Sequence, residues 1–125
     1  MNQTRTLRFA AGLLLGLAAL SPGALHAQSS SSLPLAQTKA ANLARMRAES
    51  LNGGLSQYRA ASCMYETGAP TCLISRSSQG FLFRFKGGAP GWQQQVPANP
   101  SMETEVLVSR TGDSIVAVPY NGPLR

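Results

Sequence analysis

The side chains of this sequence with chemical potential are two cysteines, two neighbouring glutamates and one tryptophan. Cys63 and Cys72 lie within "ASCMYETGAPTC" and could form a metal clip, a catalytic thiol with its partner, or a disulfide. Two cysteines alone cannot complete a tetrahedral zinc site. Gly68 and Pro70 let the intervening chain turn back on itself. The sequence therefore predicts a Cys63–Cys72 disulfide if the protein leaves the cytoplasm, with free thiols as the alternative.

Glu103 and Glu105 form a close carboxylate pair in the sequence. Alternate residues of a strand share a face about 6.6 Å apart, a spacing that could serve acid–base work on a sugar. The alternative is cross-strand pairing with Arg84 and Lys86. An open sheet face lacks the cleft of an enzyme, so we predict no catalytic residue. A small hydrolase using Glu103 and Glu105 remains an alternative function.

The segment "KGGAPGWQQQVPANPSM" (86–102) holds the only tryptophan. It joins two predicted strands and is much longer than a hairpin loop of 2–5 residues, as binding loops often are. An indole beside amide side chains could stack on a sugar ring or anchor a peptide. Trp92, Gln93 and Gln94 are therefore the predicted ligand-binding residues. The alternative is that Trp92 packs over the end of a small core.

Residues 1–27 have the layout of a secretory signal peptide. Arg5 and Arg8 precede an apolar run over 9–20, and small residues lead up to Ala27. Twelve apolar residues span roughly 18 Å as a helix, well short of a ~30 Å hydrocarbon core. We therefore expect cleavage after Ala27, no stable membrane insertion afterwards, and a secreted or periplasmic protein.

Cleavage would also remove His26, the only histidine, and leave 98 of the 125 residues. Without imidazole, the mature chain has no histidine general base, no Ser–His or Cys–His nucleophile and no histidine metal site. We therefore predict a protein that is not an enzyme and has neither a metal nor a cofactor.

The mature chain carries nine basic against five acidic residues, a net charge of about +4. The basic residues are scattered, and the sequence has no aromatic–basic motif of the kind that binds nucleic acid. We therefore predict that nucleic acid is not a partner. The partner is unknown from the sequence; an envelope protein or a glycan is compatible with export.

The secondary-structure pattern changes along the mature chain. The sequence predicts a flexible leader at 28–33 and a helix at 34–51, with Pro34 in its first turn and Ser32 as a cap. A period of two then predicts four strands, at 55–64, 80–88, 102–110 and 114–120.

The predicted fold is α+β, with one N-terminal helix packed on a four-stranded antiparallel meander, all within one small domain at 34–125. The residues expected to face the core are Phe81, Phe83, Phe85, Val106, Val108, Val116 and Val118.

The stretches "NGGLSQYRA" (52–60), "FRF" (83–85) and "VPYNGPLR" (118–125) resemble a family of small uncharacterised exported cyanobacterial proteins. That resemblance spans most of the mature chain; it implies export and brings no activity with it. The helix followed by strands, with "VLVSRTGDSIVAV" near the end, is similar in layout to PepSY-type domains. That likeness implies a second alternative function, an extracytoplasmic module that restrains a peptidase. The leading hypothesis is an exported, non-catalytic domain that binds its ligand with the Trp92 segment.

Overall fold

The structure is a computed structural model that describes residues 34–125 and Gly16. The predicted signal peptide (1–27, Gly16 apart), the leader (28–33) and the Ser32 cap lie outside the described residues. The described part contains one α-helix and one antiparallel sheet, so the α+β class is confirmed. Within residues 34–125 we find no helix with the length and apolar character that a membrane span requires.

Helix α1 spans Leu35–Leu51 and follows Pro34, whose fixed φ suits a helix start. It ends at Asn52, where Gly53 and Gly54 both have positive φ and the Gly54 N–H bonds back to the Glu49 carbonyl at 2.8 Å. Small side chains dominate the face of α1 that packs on the sheet, so the helix backbone can approach the sheet closely. The buried residues of α1 are Gln37, Ala40, Ala41, Ala44 and Ala48.

The sheet has five strands rather than the four that the sequence predicts. Strand β4 pairs along most of one edge of β3, and β5 pairs with β4 on its far side. Both β1 and β2 pair with β3 as well, β1 with its end and β2 with its beginning. The strands are β1 Arg59–Ala60, β2 Leu73–Ser77, β3 Gly80–Gly88, β4 Met102–Val108 and β5 Ile115–Pro123.

The predicted inward faces of β3 and β4 are confirmed. Phe81, Phe83 and Phe85 are buried, as are Val106 and Val108 on the neighbouring strand. These side chains and the alanine face of α1 belong to one core. The helix therefore covers one face of the sheet.

The predicted inward face of β5 is wrong. Val116 is 55 % exposed, Val118 is only partly buried, and Ile115 packs against the core instead. Between Val108 and Glu105 the pairing with β5 shifts register twice, so β5 carries extra residues opposite β4. Each extra residue inverts the alternation of side chains, which a strict period of two cannot anticipate.

The predicted strand over 55–64 is reduced to the two residues of β1. A 3₁₀ turn at Ser62–Tyr65 follows it, and a second one at Pro70–Cys72 leads into β2. Cys63 and Cys72 form a disulfide between these two turns, with their Cα atoms 6.0 Å apart. The predicted pairing of the cysteines is thus present in the structure.

Candidate ligand-binding site

The connection between β3 and β4 is an ordered loop, called here the Trp92 loop (residues 89–101). Gly91 has a φ of 89°, a conformation that glycine adopts without strain, and it starts a 3₁₀ turn over Trp92–Gln94. The Trp92 N–H bonds to the Ala89 carbonyl at 3.1 Å, and the Asn99 N–H bonds to the Trp92 carbonyl at 3.1 Å. These bonds hold the backbone of Trp92 on both sides.

Trp92 is buried against β1 and does not face solvent. Its side chain is 7 % exposed, and its indole Nε1–H donates to the Arg59 carbonyl at 2.8 Å. A buried indole N–H needs such an acceptor. The structure therefore gives Trp92 the packing role that the sequence left open, and its contact with a ligand stays a prediction.

Gln93 is also tied to the chain that follows β1. Its Nε2 donates to the Ala60 carbonyl at 3.0 Å, and its Oε1 accepts from the Ser62 N–H at 3.1 Å. The amide thus satisfies one backbone acceptor and one backbone donor, as a neighbouring strand would. Gln93 and Trp92 together fix the Trp92 loop to β1.

A cavity of about 370 Å³ lies between the end of β1 and the Trp92 loop. Its volume falls in the range of small-molecule sites. All three predicted ligand-binding residues line it, so the structure brings Trp92, Gln93 and Gln94 together at one concave surface. Arg59 and Tyr65 complete the polar and aromatic part of the wall; neither was singled out from the sequence, where they stand 27 to 33 positions before Trp92.

Tyr65 lines the cavity and contacts two side chains of α1. The side chain is 49 % exposed, and the Arg45 guanidinium lies 4.7 Å from the ring centroid. The Tyr65 hydroxyl also approaches the Glu49 carboxylate at 3.5 Å. A half-exposed aromatic residue in a cavity wall is a suitable surface for stacking.

Arg59 gives the cavity wall a positive charge. Each ion pair among residues 34–125 uses Lys39, Arg45, Arg84 or Arg125 as its cation, and none uses Arg59. Among residues 34–125, no acidic residue lines the cavity. The exposed Gln94 amide adds a donor and an acceptor. The wall thus offers one aromatic face, one cation and one amide to a ligand.

A second cavity, of about 280 Å³, also includes Trp92 in its wall. Phe85 and Cys72 supply apolar surface there, and Lys86 and Glu103 lie at the polar part. Trp92 therefore belongs to both cavities, which makes the Trp92 loop the common element of the concave surface at this end of the sheet.

Glu103 and Glu105 form a network of ion pairs. On the β3–β4 ladder Arg84 lies opposite Glu105, and the Arg84 Nε is 2.8 Å from the Glu105 carboxylate. Arg125 also reaches both glutamates, at 3.4 Å from Glu103 and 2.6 Å from Glu105. The predicted pairing with Arg84 is confirmed. Lys86 lies opposite Glu103 but makes no ion pair within residues 34–125, and Arg125 is the second cation instead.

The environment of Glu105 favours its ionised form. Burial raises the pKa of Glu105, but hydrogen bonds and charge from Arg84 and Arg125 outweigh it and bring the pKa below its usual value. A glycosidase acid needs a raised pKa in order to hold its proton near neutral pH. The arrangement therefore fits ion pairing better than proton transfer.

The part of the chain that the structure describes contains no group of three or more His, Cys, Asp or Glu side chains placed to hold a metal ion. Comparisons with protein-family models, with curated proteins and with solved structures give no match to this chain.

Proposed function

We propose that this protein is an exported, non-catalytic binding domain that acts in the cell envelope or outside the cell. Its ligand occupies the cavity between β1 and the Trp92 loop. The observation that carries the proposal is the wall of this cavity, where Arg59, Tyr65 and Gln94 offer exposed groups on a backbone that Trp92 and Gln93 hold in place. A backbone that is fixed before the ligand arrives loses little entropy on binding.

The location in this proposal rests on two features. The signal-peptide layout of residues 1–27 indicates export, and the Cys63–Cys72 disulfide is of the kind that persists in oxidising compartments. In this proposal α1 is the N-terminal element of the mature domain, and β1, β3, β4 and β5 are its meander.

The chemistry of the wall favours a glycan as the ligand. A sugar ring has an apolar face that can stack on Tyr65, and its hydroxyl groups can bond to the Gln94 amide and the Arg59 guanidinium. Tyr65 in the cavity wall is half exposed, so a polymer that contacts it could extend into solvent.

The test is equilibrium binding of the mature protein (28–125) to soluble envelope glycans, namely chito-oligosaccharides and muropeptides, by isothermal titration calorimetry. We expect Gln94→Ala to weaken binding about five- to tenfold, since one hydrogen bond contributes about 1 kcal/mol. Tyr65→Ala removes the stacking surface and should weaken it further.

Gln95→Ala is the matched control, because Gln95 is an exposed neighbour that does not line the cavity. It should bind as the wild type does. Equal affinities of the Gln94→Ala, Tyr65→Ala and wild-type proteins would refute the cavity as the binding site. Absence of binding to every glycan, together with binding to an envelope peptide at the same cavity, would refute the glycan and keep the site.

A further inference from the structure

Two of the arginines that make no ion pair among residues 34–125 lie at the end of β3 opposite to the Trp92 loop. The sequence has only five acidic residues, and all of them lie within residues 34–125. Their ion pairs engage Lys39, Arg45, Arg84 and Arg125. Arg76 and Arg110 therefore have no carboxylate side chain of this described region within ion-pair distance.

Arg76 and Arg110 converge on one cavity because of the strand register. Arg76 of β2 lies opposite Phe81 of β3, and Phe81 lies opposite Val108 of β4. Arg110 comes two residues after Val108, just beyond the end of β4, and lines the same cavity as Arg76 and Phe81. The cavity has a volume of about 290 Å³ and is lined by Pro34, Ala36, Arg76, Ser77, Phe81 and Arg110.

Among the described residues, the remaining wall of this cavity contains no acidic side chain that would oppose an anion. Ser77 offers a hydroxyl, and Phe81, Ala36 and Pro34 offer apolar surface. The first turn of α1, which begins here, has no acidic residue and no side-chain cap. The partial positive charge of a helix start adds to that of the two guanidinium groups.

From this convergence we propose that the Arg76–Arg110 cavity is an anion-binding site for a phosphate-type oxyanion that carries an apolar group. Two guanidinium forks can share the several oxygens of a tetrahedral oxyanion, whereas a single carboxylate is already satisfied by one fork. Phe81 is only 4 % exposed but lines the cavity, and it gives the apolar group its contact. This site is separate from the cavity between β1 and the Trp92 loop, so the proposal does not depend on the proposed glycan binding.

The test uses the mature protein (28–125) with phenyl phosphate as the probe and isothermal titration calorimetry as the readout. We expect saturable binding that is tighter than that of inorganic phosphate, because of the apolar contact with Phe81. Added salt should weaken the binding of phenyl phosphate and of inorganic phosphate. Arg76→Gln and Arg110→Gln should each weaken phenyl phosphate binding by about tenfold, since each removes charged hydrogen bonds.

Arg47→Gln is the matched control, because it removes the same charge from an exposed position of α1 that makes no ion pair within residues 34–125. It should bind phenyl phosphate within about twofold of the wild type. All three arginines are exposed, so thermal unfolding should show that each variant keeps its fold. Equal loss in all three variants would mean diffuse attraction to a basic protein and would overturn the site.

A second experiment distinguishes a lipid headgroup from a soluble phosphate ester as the source of the oxyanion. It measures flotation of the protein with vesicles of phosphatidylglycerol in phosphatidylcholine. Flotation that is lost in Arg76→Gln and Arg110→Gln assigns the site to a lipid headgroup. Binding of phenyl phosphate without flotation assigns it to a soluble phosphate ester. If neither probe distinguishes these two variants from Arg47→Gln, the proposal is wrong.

Discussion

The indole Nε1–H of Trp92 donates a hydrogen bond to the backbone carbonyl of Arg59, across 2.8 Å and 33 positions of sequence. This bond joins the loop after β3 to the short strand β1. It holds Trp92 within the cavity wall, where Arg59 is exposed. The tryptophan is therefore the support of the candidate site as well as part of its wall.

Trp92 should consequently contribute strongly to stability. Trp92→Ala is expected to lower the free energy of unfolding by about 3–5 kcal/mol, as large-to-small changes at buried aromatic positions do. Trp92→Phe keeps a ring but leaves the Arg59 carbonyl without its donor, so we expect a loss of about 1–3 kcal/mol. Urea unfolding followed by circular dichroism measures both. A Trp92→Ala protein as stable as Gln95→Ala would show that Trp92 supports nothing.

Gly87 and Tyr58 are a second pair whose contact explains a sequence feature, the glycines that end β3. A Cβ at position 87 would collide with the buried Tyr58 ring. Gly87→Ala should therefore destabilise the fold by about 1–3 kcal/mol through overpacking. In a Tyr58→Leu background the ring is gone, and the added cost of Gly87→Ala should largely disappear. Urea unfolding of the single and double variants measures this. If the losses of unfolding free energy from Gly87→Ala and Tyr58→Leu simply add, the contact is contradicted.

How far the sequence predicts this fold depends on how regular each element is. The phenylalanines of β3 and the valines of β4 alternate strictly, and their buried faces are as predicted. The face of β5 is wrong because register shifts intervene, and β2 was missed because "LISRS" shows no apolar alternation and begins at an irregular pairing. Local periodicity carries no information on such bulges.

The candidate site was predictable only in part, for a similar reason. Trp92 stands out as the single tryptophan in a long connection. That its ring turns inward, and that Gln93 bonds to the backbone near Ala60, follows from contacts over more than thirty positions. Arg59, Tyr65, Arg76 and Arg110 join cavities through strand pairing and tertiary contacts, which no spacing in the sequence reveals.

The lowered pKa of Glu105 predicts how the stability of the protein changes with acid. Its pKa is lowered in the folded protein, so its contribution is present above its ordinary pKa of 4.5 and is lost as the pH falls through the lowered folded value. Glu105→Gln should cost about 1–3 kcal/mol at pH 7, where hydrogen bonds from Arg84 and Arg125 to a charged carboxylate are lost. Below pH 4 the gap between the variant and the wild type should narrow.

This effect is measured as the urea concentration at the midpoint of unfolding at pH 7, 5, 4 and 3. Glu66→Gln is the control, because Glu66 is exposed and has no ion pair among residues 34–125. Its midpoints should stay parallel to those of the wild type. A gap between Glu105→Gln and the wild type that widens with acid would reverse the sign and contradict the ion-pair network.

The Cys63–Cys72 disulfide should stabilise the fold by restricting the unfolded chain. For the ten-residue loop it closes, the chain-entropy model gives about 2.5–3 kcal/mol. Cys63→Ala with Cys72→Ala should be less stable by that amount and insensitive to reductant, whereas the wild type should lose a similar amount on reduction. Urea unfolding with and without reductant, checked by thiol alkylation, measures this. A wild type whose thiols are alkylated without reductant would contradict the bond.

The most direct test of the central claim, a ligand site between β1 and the Trp92 loop, is amide-resolved NMR of the mature protein titrated with muropeptides and chito-oligosaccharides. Saturable shifts should concentrate on Arg59, Tyr65 and the side-chain amide of Gln94, while Gln95 and the far end of the sheet stay unchanged. Trp92 Nε1–H should move little, since it remains bonded to Arg59. Shifts that spare the cavity, or none with either glycan, would contradict the proposed glycan site.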